Sequence, residues 1–128
     1  MKRSIMMILA TILISMVCKP DSEVLLLEKG NDGQTFYISR QDEVVISLEA
    51  NLTTGYSWEV VSLDKEVLST KNEPEYISKS NIPGSSGIQK FHFIAVDSGE
   101  SELVLVYRRS WEPDKEPIDT YSIKINVK

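Results

Sequence analysis

The 128-residue chain has one cysteine, Cys18, and one histidine, His92. A single thiol permits no disulfide within the chain, so the fold must be held together by its core. The same scarcity removes a Cys/His nucleophile pair, because Cys18 belongs to an N-terminal apolar run, and it leaves no spaced ligand set for a metal. His92 alternates out of phase with Phe91 and Phe93 and is expected to face solvent. Serines are plentiful, but none stands in a Gly-x-Ser-x-Gly elbow. The sequence therefore predicts no enzyme, no metal and no cofactor. Basic excess is also missing, since 14 Lys and Arg are outnumbered by 19 Asp and Glu, for a formal net charge of −5. A folded domain of this sign is a poor match for nucleic acid or for an anionic membrane.

Long hydrophobic runs are confined to the N-terminus. Met1-Lys2-Arg3 is a basic head, and Ile5 to Val17 is apolar but short for a bilayer span. This pairing matches the charged and hydrophobic regions of a secretory signal peptide. The expectation is a signal peptide or signal-anchor over residues 1–18 and a single exported domain over residues 19–128, in a secreted, periplasmic or endomembrane setting. The boundary is poorly marked, because bulky Val17 before Cys18 suits neither a small-x-small cleavage site nor a good lipid-attachment site. Membrane contact is expected only through this segment, if it stays uncleaved or Cys18 is lipidated.

Amphipathic helix is nearly absent from the remainder. Val24 to Leu27 and Thr35 to Ile38 are short strand candidates separated by the turn signal Gly30-Asn31-Asp32-Gly33. Val44, Ile46 and Leu48 alternate, as do Tyr56, Trp58 and Val60, then Phe91, Phe93 and Ala95, and finally Tyr121, Ile123, Ile125 and Val127. Leu103 to Tyr107 is apolar on both faces and reads as a central strand. Ser62 to Glu75 is less regular: Leu63, Val67 and Leu68 suggest a helical turn stopped by Pro74, with a brief strand at Tyr76-Ile77. About seven to eight strands at roughly 8- to 12-residue spacing predict an all-β, antiparallel β-sandwich. A monomer is expected, since nothing in the strands requires edge pairing.

Three polar loops interrupt this pattern. Asn51 to Gly55 joins two strands with residues that turn readily, yet carries the stiff pair Thr53-Thr54. Gly84-Ser85-Ser86-Gly87 is a small-residue loop, and Arg109-Ser110-Trp111-Glu112 sets a tryptophan in polar surroundings. In identity, order and spacing, Asn51-Leu52-Thr53-Thr54-Gly55-Tyr56, Gly84 to Gly87 and Arg109 to Trp111 resemble the three motifs of the chagasin family of cysteine-protease inhibitors: Asn-Pro-Thr-Thr-Gly-Tyr/Phe, Gly-x-Gly-Gly and Arg-Pro-Trp. The first motif is the specific one. The likeness runs from about Glu43 to Lys128.

The resemblance implies an immunoglobulin-like sandwich with the three loops at one end. It also implies tight, reversible occlusion of the active-site cleft of papain-like cysteine peptidases. On that reading Asn51 to Tyr56 sits over the catalytic cysteine, with Thr53 and Thr54 in closest contact and Gly55 letting the backbone fit. Gly84 to Gly87 lies beside the non-primed subsites, and Arg109, Ser110 and Trp111 pack on the primed side. Three departures from the pattern stand out. Leu52 and Ser110 replace prolines, which predicts less rigid loops, and Ser86 replaces a glycine. Leu52 also makes Asn51-Leu52-Thr53 an N-glycosylation sequon, expected to be unoccupied because a glycan there would cover the binding edge. The rival reading is a secreted sandwich that uses Trp111 and Tyr56 for adhesion or carbohydrate binding.

Overall fold

The computed structural model of the chain describes residues 22–128. The signal segment expected over residues 1–18 lies outside them. Nine strands follow in order: β1 (Val24–Glu28), β2 (Thr35–Ile38), β3 (Glu43–Ala50), β4 (Tyr56–Ser62), β5 (Leu68–Thr70), β6 (Glu75–Ser78), β7 (Gly87–Ala95), β8 (Gly99–Arg109) and β9 (Asp119–Val127). They form two sheets. The first runs β1-β3-β7-β5, with β6 also paired to β7, and the second runs β2-β9-β8-β4.

The alternation of apolar residues dictates this packing. Val44, Ile46 and Leu48 of β3 and Phe91, Phe93 and Ala95 of β7 turn one face of the first sheet inward. Leu103 and Leu105 of β8 meet them with Tyr121, Ile123 and Ile125 of β9. Each fully buried large apolar side chain contributes about 1.5–3 kcal/mol, and this core is the main stabilising element of a chain without disulfides. Strand β8 lies between β4 and β9, the central place its two-faced apolar run predicts.

Several expectations need correction. The sandwich is not wholly antiparallel: β1 pairs parallel with β3, and β2 pairs parallel with β9. The Gly30 to Gly33 turn therefore makes no hairpin. A 3-10 turn at Lys29–Asn31 carries the chain from one sheet to the other. Lys29 fastens this crossing to Asp119 at 3.0 Å and to the Thr120 carbonyl at 3.1 Å. The helical turn expected near Val67 does form, with the Val67 and Leu68 amides donating to the Asp64 carbonyl, but it gives way to β5 at Leu68 and is not what Pro74 stops. His92 is half-buried rather than solvent-facing, with Nε2 3.4 Å from Glu75 at the start of β6.

Register fixes where the loops emerge. Ala50, the last residue of β3, opposes Gly87, the first of β7. Tyr56, the first residue of β4, opposes Arg109, the last of β8. Gly87 also opposes Ser78, so the β6–β7 connection leaves from the same end.

Candidate functional site

Local chemistry shapes the first loop. Asn51 sits in extended backbone (φ −120°) ahead of a 3-10 turn at Leu52–Thr54, and its Oδ1 accepts from the Thr53 amide at 3.1 Å and the Thr53 hydroxyl at 2.5 Å. The Thr54 hydroxyl donates to the Asn51 carbonyl at 2.6 Å. Gly55 closes the turn at φ +84°, a conformation that glycine alone adopts without strain. These bonds define the loop without a proline at position 52. The flexibility that Leu52 predicts is thus countered by side-chain capping.

The other two loops tie onto it. Asn51 Nδ2 donates to the Gly84 carbonyl at 3.2 Å, joining the first loop to the second. Arg109 Nε donates to the Thr54 carbonyl at 3.1 Å, joining it to the third. The Arg109 guanidinium also lies 4.6 Å from the Tyr56 ring centroid, within cation–π range. Trp111 closes over Gly55: a Cβ built there would collide with the indole, lying 2.9 Å from Cζ2. The tip therefore brings together Asn51, Leu52, Thr53, Thr54, Gly55, Tyr56, Gly84, Arg109 and Trp111.

The remaining expected residues support this cluster. Ser86 Oγ reaches Glu49 Oε1 at 3.3 Å, and the Ser85 hydroxyl donates to the Ser80 carbonyl at 3.1 Å. Gly87 is buried where β6 and β7 approach, and a Cβ there would lie 2.5 Å from the Ile77 carbonyl oxygen. Lys79, 3.1 Å from Glu49, holds that carboxyl below the usual carboxylate range by hydrogen bond and charge, with Ser86 adding a second hydrogen bond. Ser110 is exposed beside Trp111 and has no side-chain hydrogen bond among the described residues.

Sequence reasoning overlooked Ile82. It is 71% exposed on the second loop, with Trp111 at 65% and Leu52 at 39% on its neighbours. An isoleucine held between Asn81 and Pro83 is the same kind of signal as a tryptophan among charges. The tip thus combines three exposed apolar side chains with threonine hydroxyls. Such a surface suits a partly apolar, partly polar cleft on another protein.

Residues 37–125 match the family described as chagasin family peptidase inhibitor I42. The chain belongs to that family. Among its relatives, Amoebiasin-1 of Entamoeba histolytica is 36% identical over 104 residues, which cover 79% of this chain and 97% of the relative. The crystal structure of the cysteine protease inhibitor EhICP2, also from Entamoeba histolytica, superposes with a TM-score of 0.76 at 24% identity, covering 86% of this chain and all of that one. The structure of PbICP-C in complex with falcipain-2 contains a match with a TM-score of 0.61 at 20% identity, over 83% of this chain and 99% of its counterpart. The last two likenesses are of fold. They place this chagasin-family member in the immunoglobulin-like sandwich architecture.

Proposed function

We propose that this chain is a reversible inhibitor of papain-like cysteine peptidases that plugs the enzyme's active-site cleft with its three joined loops. The observation that carries the reading is the convergence of Asn51–Tyr56, Gly84–Gly87 and Arg109–Trp111 at one end of the sandwich, through the Asn51–Gly84 and Arg109–Thr54 hydrogen bonds. Family membership supports it, as do the cysteine-protease inhibition named for EhICP2 and the falcipain-2 bound by PbICP-C.

The physical logic follows from peptidase chemistry. A catalytic thiolate needs an acyl carbon at attack distance and a water for the second step. The central loop brings Thr53 and Thr54 side chains over that position, with the Asn51 carbonyl already accepting from Thr54 Oγ1 and the Thr54 carbonyl from Arg109 Nε. Gly55 admits the indole of Trp111, which with Arg109 and Ser110 covers the primed side. Gly84 to Gly87 and Ile82 cover the non-primed side. A loop set already fixed by hydrogen bonds loses little entropy on docking, and protease–inhibitor interfaces bury about 800 Å² on each partner. The chain acts as a binding protein, not a catalyst, and as a monomer exported by way of residues 1–18.

Titration of papain with the recombinant chain from residue 19 onward tests this directly. Stoichiometric loss of peptidase activity is expected. Full activity at micromolar excess of the chain would reject the reading and favour a sandwich that binds carbohydrate or another surface ligand. The intact mass of natively secreted protein is expected to show loss of the N-terminal segment and an unmodified Asn51.

A further inference from the structure

We infer that Tyr107 is a positioning residue for the inhibitory tip: its hydroxyl, locked in an aromatic stack on the second sheet, fixes the root of the loop that leaves the first sheet at Asn51. The inference rests on the inhibitor reading above and extends it to a residue that makes no part of the three loops.

The loop's internal bonds, from Asn51 to Thr53 and Thr54, travel with the loop and cannot orient it on the body. The Gly84 bond ties it to the second loop, and the Arg109 bond fastens its far end, at Thr54, to the last residue of β8. Its near end is tied to the second sheet by the Asn51 backbone N–H, which donates to the Tyr107 hydroxyl at 3.0 Å across 56 residues of sequence. Two residues earlier, the Glu49 carbonyl accepts from the Trp58 indole N–H at 3.0 Å. Two aromatic side chains of β4 and β8 thus grip the backbone at the end of β3, where the chain changes sheets.

Packing makes this grip rigid. The Tyr107 ring lies 5.1 Å from Trp58, its direct cross-strand neighbour, and 5.6 Å from Tyr56, centroid to centroid. Tyr56 is covered in turn by the Arg109 guanidinium. A ring held on both sides cannot swing, so its hydroxyl is a fixed acceptor. Without it the Asn51 N–H loses its partner at a part-buried position, and Leu52, with a free φ, does not restrict the backbone at the loop's root. The free protein would then sample tip conformations that do not fit a cleft, and association would slow in proportion to the fraction that still does.

The test compares the wild-type chain with Tyr107→Phe, which keeps the ring and its stacking, and with Tyr107→Phe/Leu52→Pro. Proline is compatible at position 52, the first residue of the 3-10 turn, because Asn51 before it is already extended. Expected for Tyr107→Phe are at least tenfold faster exchange of the Asn51 amide proton in the free protein, a five- to tenfold slower association rate with papain, and a dissociation rate within twofold of wild type. Leu52→Pro should return the association rate to the wild-type range. A merely structural tyrosine would lower the melting temperature without this split and without rescue by proline. Unchanged Asn51 exchange in Tyr107→Phe overturns the inference. Wild-type protein that leaves papain active would instead sink the inhibitor reading, and amide exchange would still decide what Tyr107 holds.

Discussion

The indole of Trp111 covers the backbone of Gly55, so the third loop rests on the one position of the first loop that has no side chain. Alanine at position 55 would have to displace that indole and hold φ +84°, a conformation that costs an L-residue about 1–2 kcal/mol. Gly55→Ala should therefore destabilise the domain by about that amount and weaken papain inhibition more than tenfold. Chemical denaturation and an inhibition titration on the same preparation check both effects.

Trp111 itself is 65% exposed and contributes little to the core. Trp111→Ala should weaken inhibition by more than about 1 kcal/mol, as anchoring aromatics of an interface do, and leave the melting temperature nearly unchanged. Parallel thermal melts and inhibition constants separate the two roles. An unfolded variant would show that the indole is structural.

Leu105 presents the opposite case. It is fully buried on β8, with β4 on one side and β9 on the other. Leu105→Ala should cost about 2–5 kcal/mol, measured as a lowered urea midpoint. Inhibition per folded molecule should stay the same, because the loops are fixed by ties that Leu105 does not touch.

Tyr121 gives an alkaline signature. Its side chain is fully buried at the start of β9, and its hydroxyl has no hydrogen-bond partner among the described residues. Burial, with the charge of Asp32, pushes its pKa up from 10.0 to about 12. The folded state keeps the phenol neutral while the unfolded chain ionises from pH 10 upward. The contribution is thus complete below pH 10 and is lost as pH rises towards 12. Over that window wild type should lose about 2–3 kcal/mol more stability than Tyr121→Phe, which has no phenol to ionise. Equal losses in denaturant melts of the two proteins would refute the assignment.

Much of this molecule was legible in the chain because its signals are local. Phe91, Phe93 and Ala95 alternate, and the whole of β7 follows with alternate residues buried. The Asn51 to Tyr56 motif carries its own capping chemistry, since Asn51 and Thr53 are close enough to bond wherever the turn forms. Other features had no local signal. Val24 to Leu27 and Thr35 to Ile38 flank a turn that resembles a hairpin, yet each strand joins a different sheet in parallel. A strand's sequence states which face is apolar but not which sheet edge is open to receive it.

Residue identity by itself determined the all-β class, the inward face of each long strand and the membership of three loops in one family pattern, because periodicity and turn chemistry act between residues a few positions apart. Tertiary structure alone decided that Asn51 meets Tyr107, that Arg109 reaches the Thr54 carbonyl and that Trp111 lies on Gly55. Those contacts join residues more than fifty positions apart, and they exist only because strand register brings the ends of β3, β4, β7 and β8 to the same pole of the sandwich.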